Sequence, residues 1–212
     1  MTRFIMIGGG GHARVLFEVL KARGLLVEGY VTRDAEAATG IINGIPRIGD
    51  DSALMARGAE GVMLVNGVGS VGDPKNRRMV FETYRAKGFK FASVIHPSAT
   101  VASDALIAEG AQIMAAAVLQ SGVRIGMNAI VNTGAIVDHD CVIGDHAHIA
   151  TGACLSGGVN VGDASHVGAG ATVIQNIHIG EKVLVAAGAV VVNDIGSGLR
   201  VLGNPARVTE NI

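Results

Sequence analysis

The chain of 212 residues carries 17 basic and 18 acidic side chains, a formal net charge of −1, and only 3% aromatic residues. Neither the basic field nor the stacking surface that nucleic-acid binding requires is present. Mean hydropathy is +0.43, yet no apolar run approaches the ~18 residues of a membrane span, and the opening MTRFIMIGGGG is too short in apolar residues for a signal peptide, so a cytosolic (cytoplasmic) protein is expected.

In chain order, Phe4-Ile-Met-Ile7 predicts a buried strand, and His12 to Arg23 an amphipathic helix after a glycine loop. Val27 to Thr32 predicts a second strand. Gly49-Asp-Asp-Ser starts a short helix capped by Asp50, Asp51 or Ser52. Val62 to Val65 predicts a third strand, Pro74 to Lys87 a helix with Pro in its first turn, and Phe89 to Val94 a last strand. Alternating β and α elements imply a small parallel sheet, a Rossmann-like α/β domain over residues 1–92.

From Ile95 the period changes. Every sixth residue from Ile95 through Val137 and Ile143 to Val191 is Ile, Val or Leu, seventeen in all, and the residue four further on is nearly always small or aliphatic. Thirty-one glycines accompany the repeat. A period of six fits neither an α-helix nor a flat strand. It fits a chain that turns a corner every six residues, so that three short strands close a triangular coil of eighteen. Coils then stack about 4.8 Å apart through backbone hydrogen bonds. The pattern resembles the hexapeptide-repeat, left-handed parallel β-helix, expected over residues 93–212. The left hand comes from that resemblance, since the usual crossover rule favours the right.

On this lattice Val137 and Ile143 point inward, and Cys141 takes the small corner position. His139 and Asp140 therefore belong to the corner or the outer face. One coil on, in the same column, stand Gly157 and Gly158. A neutral His139, oriented by Asp140 or Asp138, can take a proton from an attacking nucleophile. Gly157 is expected to leave an open notch with its N–H available to a developing oxyanion. A solvated polar corner without chemistry is the plain alternative. Zinc is the other: some proteins with this repeat resemble gamma-class carbonic anhydrases. Here His146 and His148 are two apart and the His-x4-His pair is absent, so no metal is expected. The two cysteines, Cys141 and Cys154, are expected as free thiols.

Ile7-Gly-Gly-Gly-Gly-His-Ala-Arg14 joins a strand to a helix. Glycines let backbone approach a phosphate, and the helix start offers unpaired N–H groups. A merely tight turn satisfies the same pattern. A nicotinamide dinucleotide fits poorly, because the domain is too short for two mononucleotide-binding halves. A nucleotide diphosphate fits better, its pyrophosphate at Gly10, Gly11 and His12, its base or ribose near Arg33, Asp34 and Gly67.

The glycine-histidine loop on a small α/β domain, followed by a β-helix bearing Asn132-Thr-Gly-Ala-x-Val-Asp-His-Asp140 and ending in Gly203-Asn-Pro-Ala-Arg207, resembles the sialic acid O-acetyltransferase family. That family includes bacterial N-acetyltransferases of nucleotide-linked amino sugars. The resemblance implies His139 as general base and Asp140 as its acidic partner, where several relatives carry Glu. It implies contacts of His148, Ala169 and Ala187 with acetyl-CoA, and a homotrimer binding the coenzyme between neighbouring β-helices. The expected activity is acetyl-CoA-dependent N-acetylation of a nucleotide-diphosphate amino sugar by direct attack. O-acetylation of sialic acid or a related sugar needs the same base geometry, and a non-catalytic sugar-nucleotide-binding module is a further alternative.

Overall fold

A computed structural model describes residues 3–32 and 44–211. The uninterrupted apolar run of β1 (Arg3–Ile7) suits a strand covered on both faces, and β1 lies at the centre of a five-stranded parallel sheet. It is flanked by β2 (Val27–Val31) and, beyond it, β3 (Arg47–Gly49) on one side, and by β4 (Val62–Asn66) and β5 (Lys90–Phe91) on the other. Helix α1 (Gly11–Ala22) buries Ala13, Leu16 and Leu20 at helical spacing. In α2 (Asp51–Arg57) the cap is Asp50, whose carboxylate accepts from the N–H groups of Ser52 and Ala53. Helix α3 (Lys75–Ala86) begins directly after Pro74.

Two details differ from the sequence expectation. Strand β3 has only three residues and an exposed Arg47, too little for a period to show. The single strand expected from Phe89 to Val94 is divided. Lys90–Phe91 pairs with β4, whereas Val94–Ile95 pairs with Gln112–Ile113 in the next body. The two residues between let the chain change sheets, with the Ser93 hydroxyl donating to the Ala108 carbonyl at 2.8 Å.

From Val94 onward two-residue strands run round a three-sided, left-handed β-helix, each paired in parallel with the strand eighteen residues on, as in Val118↔Ile136↔Cys154. Face one carries strands such as His148–Ile149, face two Ile136–Val137, face three Val142–Ile143. The every-sixth aliphatics fill the interior, and the small residues four further on pack with them in one cluster. Each fully buried Val, Leu or Ile contributes about 1.5–3 kcal/mol, so the ladder is the main source of stability. Corners are tight: the residue three after each inward aliphatic repeatedly has positive φ. Glycine serves at Gly134 and Gly158, while Asn128, Asp140 and His146 hold φ of 56°, 60° and 61°.

The α/β domain sits on face one. Outward-pointing Val94 and Ile130, with Met114, join Met6, Ala13, Leu16 and Val65 in a shared core. The chain ends with Leu199–Leu202, parallel on face one, and Arg207–Asn211, folded back antiparallel on it. Among the described residues no helix is long and apolar enough to cross a membrane.

Gly162 and Gly134 separate two costs. A Cβ at Gly162 would lie 2.6 Å from the Gly180 carbonyl carbon of the next coil, whereas Gly134 has open space but a φ of 66°. Gly162→Ala is expected to destabilise by about 3 kcal/mol through forced displacement of backbone, and Gly134→Ala by about 1 kcal/mol through left-handed strain. Urea unfolding curves check this; equal midpoints for the two variants would contradict the stacked-coil geometry.

Candidate active site

His139 stands on the edge between faces two and three. Its backbone is held by the coil below and the coil above: Asp140 N–H donates to the Ser121 carbonyl at 2.9 Å, and the His139 carbonyl accepts from Gly158 N–H at 2.9 Å. The Asp138 carboxylate accepts the His139 N–H at 2.8 Å. The left-handed conformation of Asp140 brings its Oδ2 to 2.8 Å from His139 Nδ1. A carboxylate accepts only, so Nδ1 carries the proton and Nε2 presents a lone pair. That hydrogen bond, with the nearby Asp138 charge, raises the His139 pKa above the ordinary imidazole value. The pair is exposed, at 62% and 73% of the side chains.

The space over Gly157 differs from the expected open notch. A Cβ on Gly157 would overlap Nε2 of His139, and Gly157 is buried. The imidazole itself lies over the glycine, so a side chain at position 157 would have to displace the ring.

A second feature lies on face one and its edge with face two. It is a cleft of about 780 Å³ between the β-helix and the loop after β4. Three residues expected at the coenzyme, His148, Ala169 and Ala187, line it together, and His12 reaches it from α1. The small Ala169 and Ala187 leave backbone accessible, and their N–H groups make no hydrogen bond among the described residues. His139, Asp140 and Gly157 do not line it.

The histidines of the cleft are unlike His139. In His148, Nδ1 lies 3.1 Å from both the hydroxyl and the carbonyl of Ser70, and Nε2 lies 3.1 Å from Asn132 Nδ2. Asn132 Oδ1 accepts the Thr133 N–H, which turns the amide nitrogen toward the ring. Nε2 is therefore the acceptor and Nδ1–H the donor. Burial, then the neighbouring His166, His12 and Arg77, lowers the His148 pKa to about 3. His166 packs edge-on to His148 with centroids 4.8 Å apart. His12 is also neutral, its pKa lowered to about 4 by burial and Arg77. Gln112 Nε2 donates to the Asn66 carbonyl, so its Oε1 faces His12 Nε2–H at 2.7 Å. Side-chain charge from His12 is thus unavailable to a pyrophosphate; the open backbone at Gly10 and Gly11 remains.

Gly67 is buried, and a Cβ there would meet the Ala13 Cβ and the Ile7 carbonyl at 2.7 Å, so its first role is close packing of the β4 exit on α1. Arg33 and Asp34 lie outside the described residues. Ser70, Gln112 and Arg77 escaped the sequence reading. No motif marks them; Gln112 alone leaves a trace, as a polar residue in an outward row otherwise apolar near the domain contact. Among the described residues no group of three or more His, Cys, Asp or Glu side chains is arranged to hold a metal.

Comparison with known proteins fits this geometry. The PglD N-terminal domain family matches residues 3–84. A perosamine N-acetyltransferase from Caulobacter crescentus, solved as a histidine-to-asparagine variant in complex with CoA and GDP-perosamine, superposes with a TM-score of 0.90 at 38% identity, covering 100% of this chain and 98% of that one. The acetyltransferase domain of PglB from Neisseria gonorrhoeae FA1090, in complex with acetyl coenzyme A, gives 0.89 at 39% identity over 98% of each chain. The chain belongs to the bacterial sugar N-acetyltransferases of the hexapeptide family. WeeI from Acinetobacter baumannii AYE shares the fold, with a TM-score of 0.87 at 23% identity, covering 99% of this chain and 100% of that one. A search of the curated proteins finds no match. As a member of this family the protein is an acetyl-CoA-dependent sugar acetyltransferase.

The buried neutral imidazoles of this acetyltransferase couple its stability to pH. His12 and His148 have folded pKa values of about 4 and about 3, below the ordinary 6.5. Unfolded chains therefore bind more protons than folded ones between those values and 6.5, and stability falls as pH drops through that window. Each histidine contributes a slope of up to about 1.4 kcal/mol per pH unit. Urea unfolding should show a marked loss from neutral pH to about pH 5, with a shallower slope in His148→Gln. A flat profile in the unsubstituted protein would contradict buried neutral rings.

Proposed function

We propose that the protein transfers the acetyl group of acetyl-CoA to the amino group of a nucleotide-diphosphate-linked sugar, with His139 as general base. The observation that carries this reading is the His139–Asp140 pair, with Nδ1–H on the carboxylate and Nε2 free to accept. The sugar amine attacks the thioester carbonyl carbon and Nε2 takes the amine proton; as the C–S bond breaks, the leaving sulfur takes that proton back from Nε2–H, so CoA leaves as the thiol and His139 returns to its neutral form. Gly157, beneath the ring, belongs to the same corner, and its N–H is the candidate oxyanion donor. The named relatives support the substrate class, one of them being bound to CoA and GDP-perosamine.

A covalent acyl-enzyme has little support. The Cys141 thiol is buried, its pKa is raised by that burial, and its Sγ donates to the Ser156 carbonyl at 3.2 Å. A protonated, inward-facing thiol is a poor nucleophile.

His139 and the cleft holding His148, Ala169 and Ala187 stand on different edges of one prism. In a homotrimer the histidine edge of one chain faces the cleft of its neighbour, and the coenzyme binds between the two. The pyrophosphate lies against the backbone of Gly10 and Gly11.

Thiol release with acetyl-CoA and a panel of nucleotide-diphosphate amino sugars tests the chemistry. His139→Ala should lose about 10²–10⁴-fold in kcat, while Cys141→Ser stays active. Because the pKa of His139 is raised, activity should fall as pH drops through that pKa, and Asp140→Asn should move this limb to lower pH. Full activity in His139→Ala would defeat the base assignment. Co-refolding inactive His139→Ala with inactive Ala169→Trp should restore activity if the site is shared between chains; separate sites would leave the mixture dead.

A further inference from the structure

Arg77, on the first turn of α3, is 1% exposed and makes no ion pair among the described residues. A guanidinium removed from water without a carboxylate is unfavourable, and its hydrogen bonds offset that cost only in part. Here Nε and Nη1 converge on three carbonyls, while Nη2 is buried without a partner among the described residues. Nη1 donates to Asn66 at 3.0 Å and to Val68 at 2.8 Å, and Nε donates to Asn128 at 3.2 Å. Asn66 and Val68 belong to the end of β4 and the loop after it; Asn128 belongs to a corner of the β-helix. One side chain on a helix thus ties the sheet exit to the prism.

The neighbouring amides complete the tie. Asn66 Nδ2 donates to Asn128 Oδ1 at 3.0 Å and to the Arg77 carbonyl at 3.1 Å, and Asn66 Oδ1 accepts the Val68 N–H at 3.2 Å. Immediately beyond Val68 come Gly69, Ser70, Val71 and Gly72, all four of which line the cleft. Ser70 is the residue that engages His148 Nδ1. The wall of the cleft contributed by the α/β domain is therefore hung from Val68, two residues from the contact with His148. Lysine has a single nitrogen at its tip and cannot span the three carbonyls in the plane that the guanidinium fork provides.

We propose that Arg77 is a positioning residue that sets the Gly69–Gly72 wall of the coenzyme cleft by holding the carbonyls of Asn66, Val68 and Asn128. This rests on the reading of that cleft as the CoA site. Arg77 touches no reacting atom; its effect on the reaction passes through the wall and Ser70.

The test uses the full chain. Arg77→Lys and Arg77→Met are checked for folding by circular dichroism and thermal melting, then titrated with CoA by calorimetry well below their melting temperatures. The CoA dissociation constant should rise about tenfold in both, because the wall is misplaced rather than lost. Ser70→Ala should weaken CoA binding in the unsubstituted background and add little to Arg77→Lys, since both act through one contact. A folded Arg77 variant with unchanged CoA affinity, or Arg77 and Ser70 effects that simply add, would overturn the proposal. If neither Arg77 variant folds, Asn66→Ser removes the other anchor of Val68, and unchanged CoA affinity there overturns it equally. Failure of the unsubstituted protein to bind CoA would instead defeat the reading of the cleft, and the Arg77 proposal with it.

Discussion

Everything in the second body follows from a vertical constraint: each coil must hydrogen-bond to the coil eighteen residues away with its aliphatic residue directly over the one below. That register leaves no slack at the corners. It demands left-handed backbone every sixth residue and bare glycine wherever a neighbour's side chain or backbone leans across, as at Gly157 under His139 and Gly162 under Gly180. The His139–Asp140 pair is a by-product of the same turn. Asp140 occupies the positive-φ position, and an aspartate there curls back onto the residue before it. The geometry of the pair is thus set by the corner, with little freedom in the backbone to misplace it.

The scaffold holds two kinds of histidine. His139 is exposed beside two carboxylates, which favour its protonated form and make it a stronger base. His12 and His148 are enclosed at the domain junction, near a buried arginine, and stay neutral. Neutral rings can serve as fixed donor–acceptor parts, and both of those in His148 are in use. Any group that reaches a nitrogen of His148 must compete with Ser70 or Asn132, whereas the backbone N–H groups of Ala169 and Ala187 in the same cleft make no hydrogen bond among the described residues.

Much of this was legible in the residues. The period of six, with its seventeen aliphatics, determines the prism and the inward or outward address of every residue in it, including His139 and Cys141. The grouping of His148 with Ala169 and Ala187 is implied by the family resemblance; spacing places only the two alanines together, one coil apart in a single column. The junction was not legible. Arg77 looks like an ordinary exposed position on a polar helix, Ser70 belongs to no pattern, and Gln112 shows only as a polar break in its row; the partners of Gln112 and Ser70 lie 46 and 78 residues away along the chain. Nor could the repeat alone show that the Gly157 position is covered, because the direction of an outward side chain depends on its rotamer and on Asp140. The split of the Phe89–Val94 run was hidden because both halves are apolar and only the change of sheet separates them.

The returning strand at the C-terminus has a consequence for the molecule's company. The last coil of a parallel β-helix leaves a row of unused amides and carbonyls, and a stack left bare at one end is a template on which another chain's strand can grow. Arg207–Asn211 runs antiparallel to Leu199–Leu202, reversing the direction that a further parallel coil would need, and it is mostly polar and exposed. On that face the next strand is therefore laid down against the direction of a coil, and the prism does not continue as a further parallel turn.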